Sequence, residues 1–270
     1  MIIDNMSNAD YHSHSEISKS DLDAINRSIA YWIHKKTSPR KETPEMRIGT
    51  AIHDFVLSPE LKHFYTCEPE IKKDGSKWVM DGDVFKTKTE AQECFCEFNS
   101  GKTILSKEEY DNVLGAEKAL QESKRFQAMI KGAETEVSVF SEIDGVGVRC
   151  RPDIFREDQI LIDLKTSLYA TPEYFRSALK DRRYYVQAAW YLDIVSKVTG
   201  IDYNTFIFVV IERAAPYGIS FFDLGKESIE YGRKIYKQDL DRYKRYLDTK
   251  IVEGYSDQIQ SIDLPSWARI

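Results

Sequence analysis

Residues Val148 to Thr166 constrain this chain more than any other stretch. Val148-Arg149-Cys150-Arg151-Pro152-Asp153-Ile154-Phe155 and Ile160-Leu161-Ile162-Asp163-Leu164-Lys165-Thr166 read as two strands separated by the polar break Arg156-Glu157-Asp158-Gln159. Three strongly apolar residues precede Asp163, the pattern of an inner strand rather than an edge. Asp163 and Lys165 lie two apart, so both side chains leave one face of a pleated strand while Leu164 takes the other. Asp153 joins them if the two strands pair.

Two carboxylates and an ammonium on one face suit a hard divalent cation such as Mg²⁺, which prefers oxygen ligands and keeps several waters. Such a cation lowers the pKa of a water next to a substrate phosphate, and Lys165 orients that water. The competing reading is a solvated Asp–Lys pair on a surface strand, worth little in stability. The apolar run ahead of Asp163 favours the first.

At 270 residues, with 42% hydrophobic and 30% charged residues, the chain has the composition of a globular protein. Its length allows one large domain, helical over about 1–131 and sheet-centred over about 132–270. No apolar run approaches the roughly 20 residues that span a bilayer, so no membrane partner is expected. Met1 to Asp10 has no cationic segment before an apolar core, unlike a secretory signal, and a cytoplasmic setting is expected. Cys94-x-Cys96 is too tight for the usual zinc spacing, and Cys67 and Cys150 add no partner pair, so buried thiols are the default. A net charge of −6 argues against a general nucleic-acid coat protein. Local basic runs remain, at Lys35 to Lys41 and Lys180-Asp181-Arg182-Arg183, either as solvated faces or as phosphate contacts.

Apolar spacing predicts a first helix over Ile17 to Lys36 and a second over Met46 to Leu57, stopped by Ser58-Pro59. His53 lies in the second, where a hydrogen-bonded structural role is the plain reading. Tyr65 to Cys67 suggests a strand, Lys72 to Asp83 a charged loop, and Thr89 to Phe98 a short helix. Ser106-Lys107-Glu108-Glu109 is a capping box that opens a helix to about Ile130. Asp144-Gly145 between Glu136–Phe140 and Gly147–Cys150 is a type I′ hairpin signal. It sets the Glu136 strand beside the Asp153 strand, so a third carboxylate comes within reach of the same site. Thr171-Pro172-Glu173 starts a helix that runs to about Val198, with Gln187 and Tyr191 on one face. Thr205 to Ile211 reads as a central strand, Tyr217 to Phe222 as an outer one, and a charged helix runs from Gly225 to about Lys250. Leu264-Pro265-Ser266-Trp267 reads as an extended tail that docks by its tryptophan.

Taken in order, Gly49-Thr50-Ala51-Ile52-His53, Glu136, Arg151-Pro152-Asp153, Asp163-Leu164-Lys165 and Gln187-Ala188-Ala189-Trp190-Tyr191 resemble the RecB-like branch of the PD-(D/E)xK nuclease superfamily. Within that branch the chain is similar to RecE-type exonucleases (exonuclease VIII). Each motif alone is weak; the ordered set over residues 46 to 191 is specific. The resemblance implies an α/β fold, a PD-(D/E)xK core with a central mixed sheet flanked by helices and an N-terminal helical segment.

It also implies roles. Asp153 and Asp163 match the metal-binding acids, with the Leu164 carbonyl as a further ligand. Lys165 matches the lysine that orients the attacking water and stabilises charge on the phosphate. Glu136 and His53 match the outer acid and helix histidine that help hold the metal, and Gln187 and Tyr191 match the helix pair that positions the scissile strand. The implied cofactor is Mg²⁺, with Mn²⁺ as a substitute. The implied activity is 5′-to-3′ degradation of one strand at linear double-stranded DNA ends, by a ring-shaped homo-tetramer beside a RecT-type single-strand annealing partner. Arg149, Arg151, Arg182 and Arg183 are candidates for DNA phosphate contacts. The four-cysteine iron–sulfur pattern of helicase-associated RecB-like nucleases is missing, and so is a long N-terminal extension, which suits a minimal phage form or an excised domain. Two alternatives stay open: an endonuclease or structure-specific nuclease on the same fold, and a cleavage-dead DNA-binding scaffold.

Overall fold

The computed structural model describes residues 1–39 and 42–263. Part of the basic run at Lys35 to Lys41 and the tail around Trp267 therefore lie outside the described residues. The chain opens with β1 (Ile2–Ile3) and α1 (Asn8–Ser13), then α2 (Lys19–Arg27) and α3 (Ile29–Thr37). The expected helix over Ile17 to Lys36 is thus two helices. Ser28 divides them: it leaves helical geometry at φ −177°, and its side chain accepts from the Tyr31 N–H to cap α3.

After α4 (Pro44–Leu57) and a 3₁₀ turn (Pro59–Phe64), a peripheral lobe holds β2 (Tyr65–Cys67), β3 (Lys72–Asp74), β4 (Lys77–Met80), β5 (Asp83–Phe85), α5 (Lys88–Phe98) and β6 (Thr103–Leu105). The stretch read as a charged loop is a three-stranded antiparallel meander, β3-β4-β5. Its first strand is exposed throughout, so no apolar alternation marked it. α6 (Lys107–Glu122) carries the expected capping box, and Ser123 separates it from α7 (Lys124–Ile130).

The sheet-centred half follows: β7 (Glu134–Thr135), β8 (Ser138–Ile143), β9 (Val146–Cys150), β10 (Ile154–Phe155), β11 (Ile160–Ser167), α8 (Pro172–Asp181), α9 (Tyr184–Thr199), β12 (Thr205–Glu212), β13 (Ile219–Asp223) and α10 (Lys226–Thr249). Asp144 and Gly145 have φ of +51° and +81°, as a type I′ turn between β8 and β9 requires. The stretch from Val148 to Phe155 is not one strand. β9 belongs to a small sheet β1-β8-β9, and β10 to the five-stranded sheet β13-β12-β11-β10-β7. Pro152 lies between them, and a residue without an N–H cannot continue a ladder.

In the five-stranded sheet β11 and β12 run parallel, Leu161 opposite Phe206 and Lys165 opposite Val210, and the other pairings are antiparallel. The fold is therefore α/β with a mixed central sheet. Parallel neighbours need a crossover, which α8 and α9 supply. The expected single helix from Thr171 to Val198 breaks at Arg182-Arg183, where Arg183 takes a left-handed φ of +52°.

Helices cover both faces. On one face Leu161, Phe206, Phe208 and Val210 pack against Val186, Trp190 and Ile194 of α9, with α2 and α10 behind them. On the other, Ile162, Leu164, Val209 and Ile211 pack against Ile52 and Phe55 of α4 and Val113 and Leu120 of α6. Each large side chain buried this completely is worth roughly 1.5–3 kcal/mol. Among the described residues no helix is long and apolar enough to cross a membrane.

Candidate active site

Strand register brings the first two acids together. β10 and β11 pair with Ile154 opposite Ile162, so the next pair beyond the end of β10 is Asp153 with Asp163. The Leu164 backbone N–H donates a 2.6 Å hydrogen bond to Asp153 Oδ2 and fixes that carboxylate beside β11. Asp153 and Asp163 are 8% and 1% exposed, too buried for a solvated surface pair.

Asp163 and Lys165 leave β11 on the α9 side. Gln187 Nε2 donates to Asp163 Oδ1, and the Lys165 ammonium pairs with Oδ2. That Oδ2 is buried, and the Lys165 ammonium is its contact. The ammonium also lies 4.9 Å from the centre of the Tyr184 ring. Burial pulls the Lys165 pKa down, but Asp163, Tyr184 and Asp153 outweigh it and hold the pKa above its ordinary value.

A second group assembles beside Asp153. Glu136 occupies the break between β7 and β8 with a left-handed φ of +53°, and its N–H donates to the Asp153 carbonyl at 3.1 Å. A side-chain-bearing residue held there costs roughly 1–2 kcal/mol, and the conformation keeps its carboxylate near Asp153. Ligand atoms of His53, Glu136 and Asp153 lie within 4.8 Å of one another. His53 Nδ1 is 3.5 Å from Asp153 Oδ2. Burial and Asp153 push the Glu136 carboxyl up to about 8 against the pull of His53 and Arg151. Burial and Asp163 likewise raise Asp153 well above the usual carboxylate range. Burial lowers the His53 pKa and favours the neutral imidazole, the form that binds metals.

The donor set fits a divalent cation. Carboxyl groups pushed up by desolvation and by their acidic neighbours are relieved by a dication. Asp153, Glu136 and His53 would hold it, with Asp163 alongside. A cation there supplies Lewis acidity toward a phosphate oxygen and toward water.

The remaining expected residues fall out differently. Leu164 contributes its N–H to Asp153, while its side chain lies in the core on the opposite face. Tyr191 is half-buried one turn beyond Gln187, edge-on to Phe206 with ring centres 6.0 Å apart. Burial, Tyr11 and Asp163 keep its phenol protonated.

Three of the four arginines expected at DNA are structural. Arg149 is 2% exposed and donates to the Tyr11 and His14 carbonyls. Arg151 bonds to Ser138 Oγ and the Met6 carbonyl, stacks on Tyr11 at 4.2 Å and acts as a counter-charge to Glu136. Arg183 pairs with Asp23 and Asp239. Arg182 is exposed and has no hydrogen-bonded or ion-paired side-chain partner among the described residues.

Sequence reasoning missed Tyr184, Lys19 and Arg213. Tyr184 lies three residues before Gln187 on the same helix, so its place beside Lys165 was available from spacing. Lys19 follows a cap serine on α2 and reaches the same ring from 5.8 Å, a long-range approach with no local signal. Arg213 follows the end of β12, and its N–H donates to the Ser167 carbonyl at the end of β11.

The fold and this site are of the PD-(D/E)xK-like kind. Residues 18–265 match the family described as "PDDEXK-like domain of unknown function (DUF3799)", and the chain belongs to it. No curated protein matches it in sequence. Among solved structures, a "Putative exonuclease" from Eubacterium rectale superposes with a TM-score of 0.67 at 12% identity, over 97% of this chain and 96% of that one. At that identity the likeness is one of fold. SSO0001, at 15% identity over 82% of this chain and 84% of that one, has a TM-score of only 0.29 and carries no argument. Family and fold together support a nuclease.

Proposed function

We propose that this protein is a Mg²⁺-dependent exodeoxyribonuclease that degrades linear double-stranded DNA from 5′ to 3′, leaving 3′ single strands for annealing-type recombination. The observation that carries the hydrolytic reading is the meeting of Asp153, Asp163 and Lys165 at the end of one strand pair, with His53 and Glu136 beside them. In this reading Lys165 lies against the attacked phosphate, orients the water and balances charge as the phosphorane develops. Gln187 holds Asp163 in its rotamer, and Glu136 stands beside Asp153 as a further acid for holding the metal. Polarity, the tetrameric ring and the RecT-type partner come with the RecE likeness.

The test is digestion of end-labelled linear duplex with Mg²⁺, beside covalently closed and nicked circles. Mononucleotides released from 5′-labelled ends, with closed circles intact, are expected. Cleaved closed circles would move the assignment to an endonuclease. Lys165→Ala removes one electrostatic stabiliser, which lowers turnover by about 10²–10³-fold; undiminished activity in Lys165→Ala or Asp163→Ala would falsify the site.

A further inference from the structure

Next to Lys165, at the carboxyl ends of β11 and β12, a cavity of about 320 Å³ opens between the strand ends and α8. Crevices at the carboxyl ends of parallel strands are where open α/β sheets bind ligands. The volume is at the low end of the roughly 300–1,000 Å³ of small-molecule sites, enough for one small ligand. Its lining is mixed: Thr166, Ser167 and Ser177 offer hydroxyls, Lys165, Arg182 and Arg213 offer positive charge, and Tyr174 and Leu168 form an apolar rim. Asp181 is the one carboxylate in the lining, and it accepts from Ser177 Oγ at 3.0 Å. Unlike Arg149, Arg151 and Arg183, neither Arg182 nor Arg213 has a hydrogen-bonded or ion-paired side-chain partner among the described residues.

Tyr174 is 40% exposed, Leu168 45% and Tyr169 53%, and Tyr169 meets Tyr174 edge-on with ring centres 5.4 Å apart at 81°. An edge-on neighbour holds the Tyr174 ring while part of it stays open to solvent. An exposed aromatic ring beside unpaired guanidinium groups is the chemistry that takes an unstacked base and its phosphate. Lys165 lines the same cavity, so a ligand there adjoins the reacting phosphate.

We propose that this cavity binds a single nucleotide unit of the strand being cut, its base lifted out of the duplex onto Tyr174 and its phosphate against Arg182 and Arg213. The inference rests on the nuclease reading of the adjoining site, and it names the side chains that would hold the nucleotide there.

The test is equilibrium binding of thymidine 5′-monophosphate, thymidine and inorganic phosphate to the full chain in chelator, run beside degradation of linear duplex. Saturable binding of the monophosphate is expected, with thymidine and phosphate alone each much weaker. Loss of one base–aromatic stack weakens binding by about tenfold, so Tyr174→Ala should lose about that factor while Tyr174→Phe keeps it. Arg213→Gln should weaken monophosphate and phosphate alike. Melting curves matching wild type certify that the variants fold. Monophosphate binding no tighter than phosphate, or unchanged in Tyr174→Ala, overturns the pocket even if duplex is degraded. Monophosphate binding without duplex degradation supports the pocket and overturns the nuclease reading instead.

Discussion

Arg182 and Arg183 are chemically identical neighbours with opposite surroundings. Arg183 is drawn inward by Asp23 and by Asp239, a carboxylate that also accepts from Asn26. Breaking a buried pair of this kind leaves a charge without its partner and costs roughly 3–5 kcal/mol. Arg183→Ala should therefore lose about that much in denaturant melts. Arg182→Ala should melt like wild type and bind DNA more weakly; the reverse pattern would contradict the geometry. The pH dependence has a definite sign. Burial outweighs Arg183, Asn26 and Arg242 and raises the Asp239 pKa above its unfolded value. The folded state thus binds that proton more tightly, and stability lost above the folded pKa returns as pH falls. Removing Arg183 raises the pKa further, so the deficit of Arg183→Ala should be greatest at neutral pH and narrow on acidification. The charge run at 180–183 was legible as a phosphate candidate but not resolvable into its members. What separates them is the helix break at Arg183, which follows from packing against α2 and α10 rather than from local propensity.

The site is held at the element scale by the crossing of α9 and α10. A Cβ added at Gly232 of α10 would sit 2.3 Å from the Tyr185 carbonyl oxygen and 2.9 Å from Ala189 Cβ, so the helices touch backbone to backbone. Because the obstacle is a main-chain oxygen, Gly232→Ala must push the helices apart, and overpacking of this kind costs roughly 1–3 kcal/mol. It should also lower nuclease turnover, because α9 carries Gln187 to Asp163. Gly254→Ala meets nothing within 4 Å and should do neither. Elements with strong periodicity were readable: the β8–β9 hairpin, β11, β12, α4 and the capping box of α6. Helix interruptions at Ser28, Ser123 and Arg183 were not, because a serine or arginine inside an amphipathic run breaks no local rule. Nor was the division between β9 and β10, although Pro152 gave its physical cause.

Across the whole molecule, the side chains at the site come from α4, the β7–β8 break, the edge of β10, β11 and α9, spanning His53 to Gln187. No unfolded segment can present that donor set, so cation binding is coupled to global folding. The carboxyl groups of half-buried Glu136 and buried Asp153 repel each other in the folded chain, and a dication removes that penalty only when the fold is intact. A ligand that binds the folded state alone stabilises it by about 2.7 kcal/mol at a hundredfold excess over its dissociation constant. Mg²⁺ or Mn²⁺ should accordingly raise the melting temperature in a concentration-dependent way, and a chelator should return it to baseline. Asp153→Asn removes a ligand and part of the repulsion together, so this variant should melt no lower than wild type in chelator yet gain little from the cation. A melting temperature indifferent to either ion across the millimolar range would mean that the acids at 136 and 153 are held apart from any metal, and would leave Lys165 without the partner its chemistry needs.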